Sequence, residues 1–225
     1  MSIEGSIVPT RLEREKYKAS VVLAMPEGLL KQGLKMLLEA RGVQVAGLSS
    51  GAKTICEVLE YTPNGVLLVD TDLPSLNIVT LSGSIKGGNT KTILLGSEFH
   101  PAGLKLCQRF DVNNAVLRSD SPEDLVQTVL AVANGHTYRS PMIAEAYRLA
   151  SRLPDTLETL TLREAEVLRL LVQRYTNKEV AAILSISAKT VETHRSHILD
   201  KTGNMNRGDL AGIANCLIIT AEQKP

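Results

Sequence analysis

The sequence predicts an α/β domain followed by an all-α domain. In the first part of the chain, five short apolar runs alternate with amphipathic stretches, which is the pattern of a doubly wound parallel sheet of the (βα)5 type. In the last part, three helical segments with capping signals follow one another closely, and a short turn joins the second to the third. That spacing is typical of a helix-turn-helix motif.

The five apolar runs are predicted to be strands, because each is too short for a helix. The stretches between them carry apolar residues at helical spacing, and the last of these begins at Ser121-Pro-Glu-Asp. Proline at the first helical position and acidic residues in the first turn favour a helix start there. Binding sites of such sheets lie at the carboxyl ends of the strands. The predicted strands are residues 20–24, 43–48, 65–69, 92–95 and 114–117.

The composition is that of a soluble chain with two modest cores. The chain has 225 residues, of which 44% are hydrophobic, and no apolar run approaches the about eighteen residues that span a membrane. The first residues lack the basic and apolar segments of a signal peptide. We therefore expect a cytoplasmic protein with no membrane partner, in which the polar residues 1–18 form a flexible tail.

No group of residues indicates a metal site or a catalytic centre. The three cysteines, at positions 56, 107 and 216, are isolated in the sequence, so buried thiols in a reducing cytoplasm are expected. His194 and His197 lie three residues apart on a predicted helix, but a third ligand is lacking, which favours packing or phosphate contact. No spacing suggests a nucleophile with its base, so we do not expect an enzyme.

Capping signals mark the start of each helix in the last part of the chain. Thr161 with Glu164, and Thr176 with Glu179, match the capping-box pattern. Ser187 can cap the third helix, and Ile186 can hold the preceding turn against the core. The residues expected to face inward on the three helices are Val167, Leu168 and Leu171, then Val180, Ala181 and Leu184, and finally Val191, His194 and Ile198.

The outward side of the third helix is polar. Its side chains are short or flexible and lie near a helix N-terminus, which suits the reading of base edges in a major groove. Lys178, at the start of the second helix, could contact a phosphate. An ordinary solvated helix face would show the same pattern, so periodicity leaves both interpretations open. The outward residues are Lys189, Glu192, Thr193 and Ser196, with Arg195 on the flank.

A family resemblance favours the DNA-binding interpretation. The motifs are Leu160-Thr-Leu-Arg-Glu-Ala-Glu-Val-Leu, Thr176-Asn-Lys-Glu-Val-Ala, Lys189-Thr-Val-Glu-Thr-His and Asn206-Arg, and together they resemble the LuxR/NarL-type DNA-binding domain without a gap. The resemblance implies a four-helix domain whose third helix enters the major groove and whose fourth helix, at about residues 207–219, pairs two subunits. The DNA-contacting residues that it implies are Lys178, Lys189, Thr190, Glu192, Thr193, Arg195 and Ser196.

Three positions depart from the pattern of that family. Arg174 stands where a glycine is usual, and Thr202 and Asn204 replace apolar residues. We expect looser local packing at these positions and an intact third helix.

The sheet part of the chain resembles a response-regulator receiver domain. Val21-Val-Leu-Ala, Gly33-Leu, Leu67-Leu-Val-Asp-Thr-Asp-Leu-Pro and Ser121-Pro-Glu-Asp-Leu carry this resemblance, which covers residues 19–137. Asp70 falls at the position of the phosphoacceptor of the family, at the end of the third strand. A phosphoryl group can be transferred to such a carboxylate only if the charge on its oxygens is neutralised.

The positions that would supply this neutralisation are altered. Met25 and Pro26 replace the acidic pair that holds Mg²⁺ in the family, and neither offers the oxygen ligands that this ion needs. Gly96 replaces a hydroxyl residue next to Ser97, and Arg118 replaces a lysine. We therefore expect no Mg²⁺ and no other cofactor.

Two interpretations of Asp70 remain. Glu27 or Asp72 could act as a replacement metal ligand, so that Asp70 is still phosphorylated. Alternatively, Asp70 is a structural acid paired with Arg118, and the receiver acts as a constitutive dimer or senses another signal. We favour the second interpretation, because fewer like charges then share the pocket without a cation.

The charge of the helical part suggests two copies on DNA. Residues 160–203 contain seven Lys/Arg and five Asp/Glu, a net charge of +2. Few cations mean little counterion release and weak binding by one copy. We therefore expect a homodimer on two half-sites.

The sequence thus predicts a sequence-specific DNA-binding transcription regulator that resembles a two-component response regulator with an atypical receiver. Its partners would be double-stranded DNA and a second copy of the chain, with RNA polymerase as a further candidate and a sensor kinase left open. The alternatives are a conventional phosphorelay regulator, a receiver that senses a small molecule, and an adaptor that binds a polymerase subunit. The predicted parts are a tail over residues 1–18, a receiver-like domain over 19–137, a linker helix over 138–156 and a DNA-binding domain over 157–225.

Overall fold

The computed structural model describes residues 19–60, 65–73, 76, 81, 89–153, 160–202, 205, 208 and 210–213. Five strands form one parallel sheet in the order β2-β1-β3-β4-β5. This order places the strand reversal between β1 and β3, so a crevice opens there at the carboxyl end of the sheet. The strands are β1 (Ala19–Ala24), β2 (Val43–Ser49), β3 (Val66–Asp70), β4 (Lys91–Gly96) and β5 (Asn114–Leu117).

Helices cover both faces of the sheet, which is why the central strands are apolar along their whole length. All five residues of β3 are buried. On one face, α1 and α4 enclose a cluster that includes Leu38 and Val129, and on the other face α2 and α3 enclose a cluster that includes Ile55 and Leu104. These helices are α1 (Leu29–Ala40), α2 (Ala52–Glu60), α3 (Pro101–Gln108) and α4 (Pro122–Ala133). They and the five strands are called the sheet domain below.

A fifth helix, α5 (Pro141–Ala150), follows the sheet domain. It lies within the predicted linker segment, and it packs against α3 through Ile143 and Tyr147. It is therefore fixed to the sheet domain along its length. The predicted break at Pro154 lies outside the described residues, as do residues 1–18.

Three further helices form the helical domain: α6 (Leu162–Val172), α7 (Asn177–Leu184) and α8 (Ala188–Thr202). Both predicted capping boxes are present, at Thr161 with Glu164 and at Thr176 with Glu179. Residues 208 and 210–213 are also helical and belong to the predicted fourth helix. Gly203, Asn204 and the rest of that helix lie outside the described residues.

The expectation of buried free thiols is wrong for both described cysteines. Cys56 is a free thiol, but it is exposed on the outer side of α2. Cys107 is only 1% exposed, but it is disulfide-bonded. Isolation in the sequence does not show which cysteines the fold brings together, and this is why the expectation failed. Cys216 lies outside the described residues.

Within the described part of the chain, no helix is both long enough and apolar enough to cross a lipid bilayer.

Candidate nucleic-acid interface and the Asp70 pocket

The inner side of α8 is held firmly against α6 and α7. Val191 and Ile198 are 0% and 3% exposed. Thr202, which replaces an apolar residue of the family pattern, is also buried, and its hydroxyl donates to the carbonyl oxygen of Ile198 at 2.7 Å. Because that hydrogen bond satisfies the hydroxyl, the polar residue costs little at this buried position.

The opposite side of α8 is exposed along its whole length. Its side chains, called the reading face below, all lie at the surface of the subunit, and Lys178 is exposed on α7. The side chain of Thr193 donates to the carbonyl oxygen of Lys189 at 3.1 Å. Nothing in the described part of the chain covers this surface. The reading face consists of Lys189, Thr190, Glu192, Thr193, Arg195 and Ser196.

The turn before α8 sets where the reading face begins. Ser185 ends α7 in the left-handed conformation, with φ of 53°, and Ile186 then turns back toward the core. The side chain of Ser187 accepts a hydrogen bond from the Thr190 backbone at 3.0 Å, and the two hydroxyls lie 2.7 Å apart. Ser187 therefore caps α8 as predicted. Thr190 takes part in this cap, so its hydroxyl is partly committed to the helix start.

The far end of α8 is tied to the start of α6. Glu164 is 3% exposed, and both of its carboxylate oxygens accept hydrogen bonds from the Lys201 ammonium, at 2.9 and 2.7 Å. The same carboxylate accepts from the backbone and hydroxyl of Thr161. Burial acts to raise the pKa of Glu164, but the hydrogen bonds from Lys201 and Thr161 outweigh it, so this pKa lies below its ordinary value.

Sequence reasoning identified Glu164 only as a helix cap and missed its link to Lys201. It also missed Arg163, whose guanidinium donates to the carbonyl oxygen of Leu184 at 2.6 Å and pairs with Glu166 at 2.6 Å. Arg163 thereby satisfies a carbonyl at the C-terminus of α7. These contacts join residues that lie far apart in sequence, and no local pattern indicates them.

The backbone conformation of Arg174 explains why the family usually has a glycine at this position. Its φ is 71°, which lies in the left-handed region where glycine is favoured. The turn between α6 and α7 thus has the conformation that a glycine would adopt freely, and the chain reaches it with an arginine at some cost in strain.

Asp70 lies at the end of β3 with its side chain buried, at 2% exposure. The Arg118 guanidinium forms an ion pair with it and a second one with Asp72, at 2.7 Å. Arg118 also donates to the hydroxyl of Ser97 at 2.8 Å. Burial acts to lower the pKa of Arg118, but the two carboxylates outweigh it and raise this pKa. Asp70, Asp72, Ser97 and Arg118 are called the Asp70 pocket below.

The remaining altered positions do not supply metal ligands. Met25 is buried and Pro26 is half-buried, and neither side chain has an oxygen atom. Glu27 is exposed, and its carboxylate accepts hydrogen bonds from Lys31, at 2.7 Å, and from Ser50. The hydrogen bond from Lys31 is the main reason why the pKa of Glu27 is lowered. Glu27 is therefore already engaged on the β2 side of the sheet.

A side chain at position 96 would press against two neighbouring side chains. A Cβ atom on Gly96 would lie 3.0 Å from the Thr71 hydroxyl and 3.0 Å from the ring of Phe99. The carboxylates of Asp70 and Asp72 are both bound to Arg118, and the described residues contain no cluster of three His, Cys, Asp or Glu side chains suited to a metal. The residues present do not fit Mg²⁺, which needs several free oxygen ligands.

Comparison with known proteins gives one match to the helical domain and others that cover most of the chain. Residues 158–214 match the family of bacterial regulatory proteins described as the luxR family. The "Oxygen regulatory protein NreC" of Staphylococcus aureus (strain JH9) is 27% identical over 208 residues, which cover 86% of this chain and 95% of that protein.

Solved structures of RcsB have the same fold. The RcsB chain in an RcsB–DNA complex is 24% identical to this chain, with a TM-score of 0.59. The match covers 88% of this chain and 98% of the RcsB chain. RcsB from Salmonella enterica serovar Typhimurium, bound to the promoter P1flhDC, is 23% identical with a TM-score of 0.59 and the same coverage.

The strand order, the helix-turn-helix and these matches define a response regulator in architecture: a receiver-type sheet domain followed by an output domain of helices. More narrowly, residues 158–214 match the luxR family of bacterial regulatory proteins, and the chain as a whole is similar to LuxR/NarL-type response regulators.

Proposed function

We propose that this protein is a sequence-specific DNA-binding transcription regulator, active in the cytoplasm, whose sheet domain works without Mg²⁺-dependent phosphorylation. The observation that carries the proposal is the reading face, which is exposed on a helix whose other side is fixed in a core. RcsB, which has the same fold, has been solved bound to DNA. No catalytic role is proposed for any residue.

The proposed contacts divide into two kinds. Lys178 and the capped N-terminus of α7 face outward, beside the turn that joins α6 to α7. There they would bind phosphates of the DNA backbone and set the register of the domain on the duplex. Thr193 and Arg195 lie in the middle of the exposed surface of α8, where they would reach base edges. Thr190 would contact phosphate through the hydroxyl that it shares with the helix cap.

We further propose that two copies act together. The net charge of +2 in residues 160–203 is small for a DNA-binding domain, so one copy would release few counterions. A homodimer would place two reading faces on half-sites about 34 Å apart, one turn of DNA. RNA polymerase is a further candidate partner, because a regulator bound beside a promoter can touch it.

The Asp70 pocket supports independence from Mg²⁺. The Arg118 guanidinium supplies the positive charge that a metal ion would otherwise supply, and it holds Asp70 and Asp72 at the same time. Phosphorylation would require this guanidinium to leave a buried carboxylate. Incubation with acetyl phosphate and Mg²⁺, followed by intact-mass measurement, tests the point: we expect no adduct, and an adduct lost in Asp70→Asn would establish the conventional phosphorelay instead.

The proposed DNA contacts are tested by variants on a selected site and on random duplex. Arg195→Ala is expected to weaken specific binding by about 1–3 kcal/mol and to leave random binding nearly unchanged, because it removes a base contact. Lys178→Ala should weaken both alike and reduce the salt slope by about one. Lys91→Ala, an exposed cation on the sheet domain, is the matched control and should change neither.

Equal losses on specific and random DNA for Arg195→Ala and Lys178→Ala would contradict the two roles. Absence of binding to any genomic fragment at low salt would contradict the function itself.

A further inference from the structure

A groove crosses the surface of the helical domain beside the reading face. Its volume is about 580 Å³, which lies within the range of small-molecule sites in proteins. One wall belongs to α8, and the other is formed by the end of α6 and the turn into α7, with a contribution from the helical segment 210–213. The groove, called the α8 groove below, thus draws on every helix of the domain that the structure describes. The residues that matter here are Leu168, Arg174, Arg195, Ile198, Leu199 and Leu210.

The inner surface of the α8 groove is apolar. Leu168 and Ile198 line it while they are only 2% and 3% exposed, so they form its floor. Leu210 is half-buried, and Leu199 is 52% exposed at the edge. A hydrocarbon body placed in the groove would remove these leucine surfaces from water, which is the main favourable term when apolar surfaces associate.

The rim of the groove carries two positive charges. Arg174 and Arg195 are both exposed and both line the groove. Neither guanidinium forms a hydrogen bond or an ion pair with any residue that the structure describes, and the described lining contains no Asp or Glu. By contrast, Arg118, Arg148 and Arg163 each pair with a carboxylate. The rim is therefore complementary to an anion, with which a guanidinium forms strong, charge-assisted hydrogen bonds.

The backbone of Arg174 gives a further reason to look for a partner of this side chain. Its φ of 71° is one that glycine adopts freely and that an arginine reaches only with strain. In the described part of the chain, its guanidinium has no contact that would compensate for this cost. A bound anion would supply that contact.

We propose that the α8 groove binds a small organic anion with an apolar body, of the class represented by the carboxylate of a medium-chain fatty acid. The carboxylate would accept hydrogen bonds at the arginine rim, and the hydrocarbon would lie on the floor formed by Leu168 and Ile198. An inorganic anion would leave this floor uncovered, and a neutral hydrocarbon would leave both guanidinium groups without a partner. Only a molecule with both parts matches the whole groove.

The groove and the reading face share Arg195. A ligand that engages this guanidinium withdraws it from DNA, so the anion would lower the affinity of the protein for its site. Because such coupling is reciprocal, bound DNA would lower the affinity for the anion by the same factor. This regulatory consequence rests on the proposed function, whereas binding of the anion does not.

Binding is tested first, by calorimetric titration of the full chain with octanoate in the absence of DNA. We expect saturable binding of about one octanoate per chain, at least about tenfold tighter than that of 1-octanol, which lacks the charge, because a charged hydrogen bond is lost. Acetate, which lacks the apolar body, should show no saturable binding. Equal binding of octanoate and either control compound, or no binding of octanoate, would overturn the proposal.

Variants then locate the site. Arg174→Gly removes one guanidinium and lets the turn keep its left-handed backbone, so it should stay folded and bind octanoate at least about fivefold more weakly. Leu199→Ser should also weaken binding. The matched controls are Lys91→Ala, an exposed cation on the sheet domain, and Ile183→Ser, an apolar side chain on α7 that is 51% exposed and does not line the groove. Unchanged affinity in both groove variants, or equal losses in the controls, would contradict the site.

The other candidate occupant of an exposed apolar groove is a second copy of the chain. Sedimentation of the wild type and of Leu199→Ser without ligand distinguishes the two cases. We expect the same molecular mass for both proteins. Loss of a dimer in Leu199→Ser would show that the groove is a contact between copies and would overturn the ligand proposal.

The effect on DNA binding is tested with the same proteins. Saturating octanoate should lower the affinity of the wild type for a selected duplex by at least about fivefold relative to the same concentration of acetate, which is a typical coupling between sites. The same octanoate concentration should have a smaller effect on Arg174→Gly. Binding of duplex by a protein that does not bind octanoate would refute the site and leave the proposed function intact. Binding of octanoate by a protein that binds no duplex would instead refute the proposed function and leave the site.

Discussion

The reading face and the Asp70 pocket both lie on family motifs, but they differ in what their side chains are free to do. On the reading face, the polar side chains are exposed, and in the described part of the chain only Thr190 and Thr193 among them are engaged, through hydrogen bonds to their own helix and its cap. In the pocket, Asp70 is buried and already paired with Arg118. A surface with unengaged groups can meet a ligand directly, whereas a buried carboxylate that is already paired must first lose its partner. The helical domain therefore presents an open polar surface, whereas the sheet domain holds Asp70 with an internal cation.

The largest expected effect concerns the support of the reading face. Glu164→Ala removes the buried carboxylate that holds both Lys201 and the capping residue Thr161. We expect the unfolding free energy of the helical domain to fall by about 3 kcal/mol, because a cap and a largely buried ion pair are lost together. Urea unfolding followed by circular dichroism measures this change.

The matched control is Glu179→Ala, which removes the same element of the second capping box at an exposed position. Its loss should be clearly smaller than that of Glu164→Ala. Equal losses would mean that Glu164 acts only as a cap and that its contact with Lys201 contributes nothing.

The next effect tests the internal cation of the Asp70 pocket. Arg118→Ala leaves the Asp70 carboxylate buried without its partner, and we expect a loss of about 2 kcal/mol, reduced from the fully buried case because the arginine is 24% exposed. Adding Asp70→Asn should recover part of the loss, since the uncompensated charge is removed. If the double variant is no more stable than Arg118→Ala, the pair is not what stabilises this pocket.

The sequence indicates one of these two regions more completely than the other. Period and capping patterns are local, so they predict the strands, both capping boxes and the outward positions of α8, where Val191 and Ile198 are buried as expected. The pair of Asp70 with Arg118 was one of two open alternatives, because residues 48 apart in sequence can be placed together only by the family resemblance. Two contacts depend on how whole helices pack against each other: the Glu164–Lys201 ion pair and the approach of Gly212 to His100. The periodicity of apolar residues in the sequence cannot predict such contacts.

A smaller effect on the unfolding free energy is expected in acid, where Glu164 of the helical domain becomes protonated. The pKa of Glu164 is lowered in the folded protein, so its stabilising contribution is fully present above its ordinary pKa and is lost as the pH falls through the lowered value. Between neutral pH and pH of about 3, Glu164→Gln should therefore lose less of its unfolding free energy than the wild type. Parallel curves for the two proteins would exclude Glu164 as a source of the acid sensitivity of the helical domain.

The smallest expected effect concerns Arg174, at the turn that leads to the reading face. Since its φ of 71° is left-handed, Arg174→Gly relieves strain and should raise the unfolding free energy by about 0.5–1 kcal/mol, with part of the gain offset by the greater freedom of glycine in the unfolded chain. Gln173→Gly is the control one position earlier, where φ is −74°, and it should destabilise the domain. DNA binding should be unchanged in Arg174→Gly if this arginine serves only the turn. A loss of affinity on specific and random duplex alike, together with a gain in stability, would show instead that the strained arginine is kept because its guanidinium contacts phosphate.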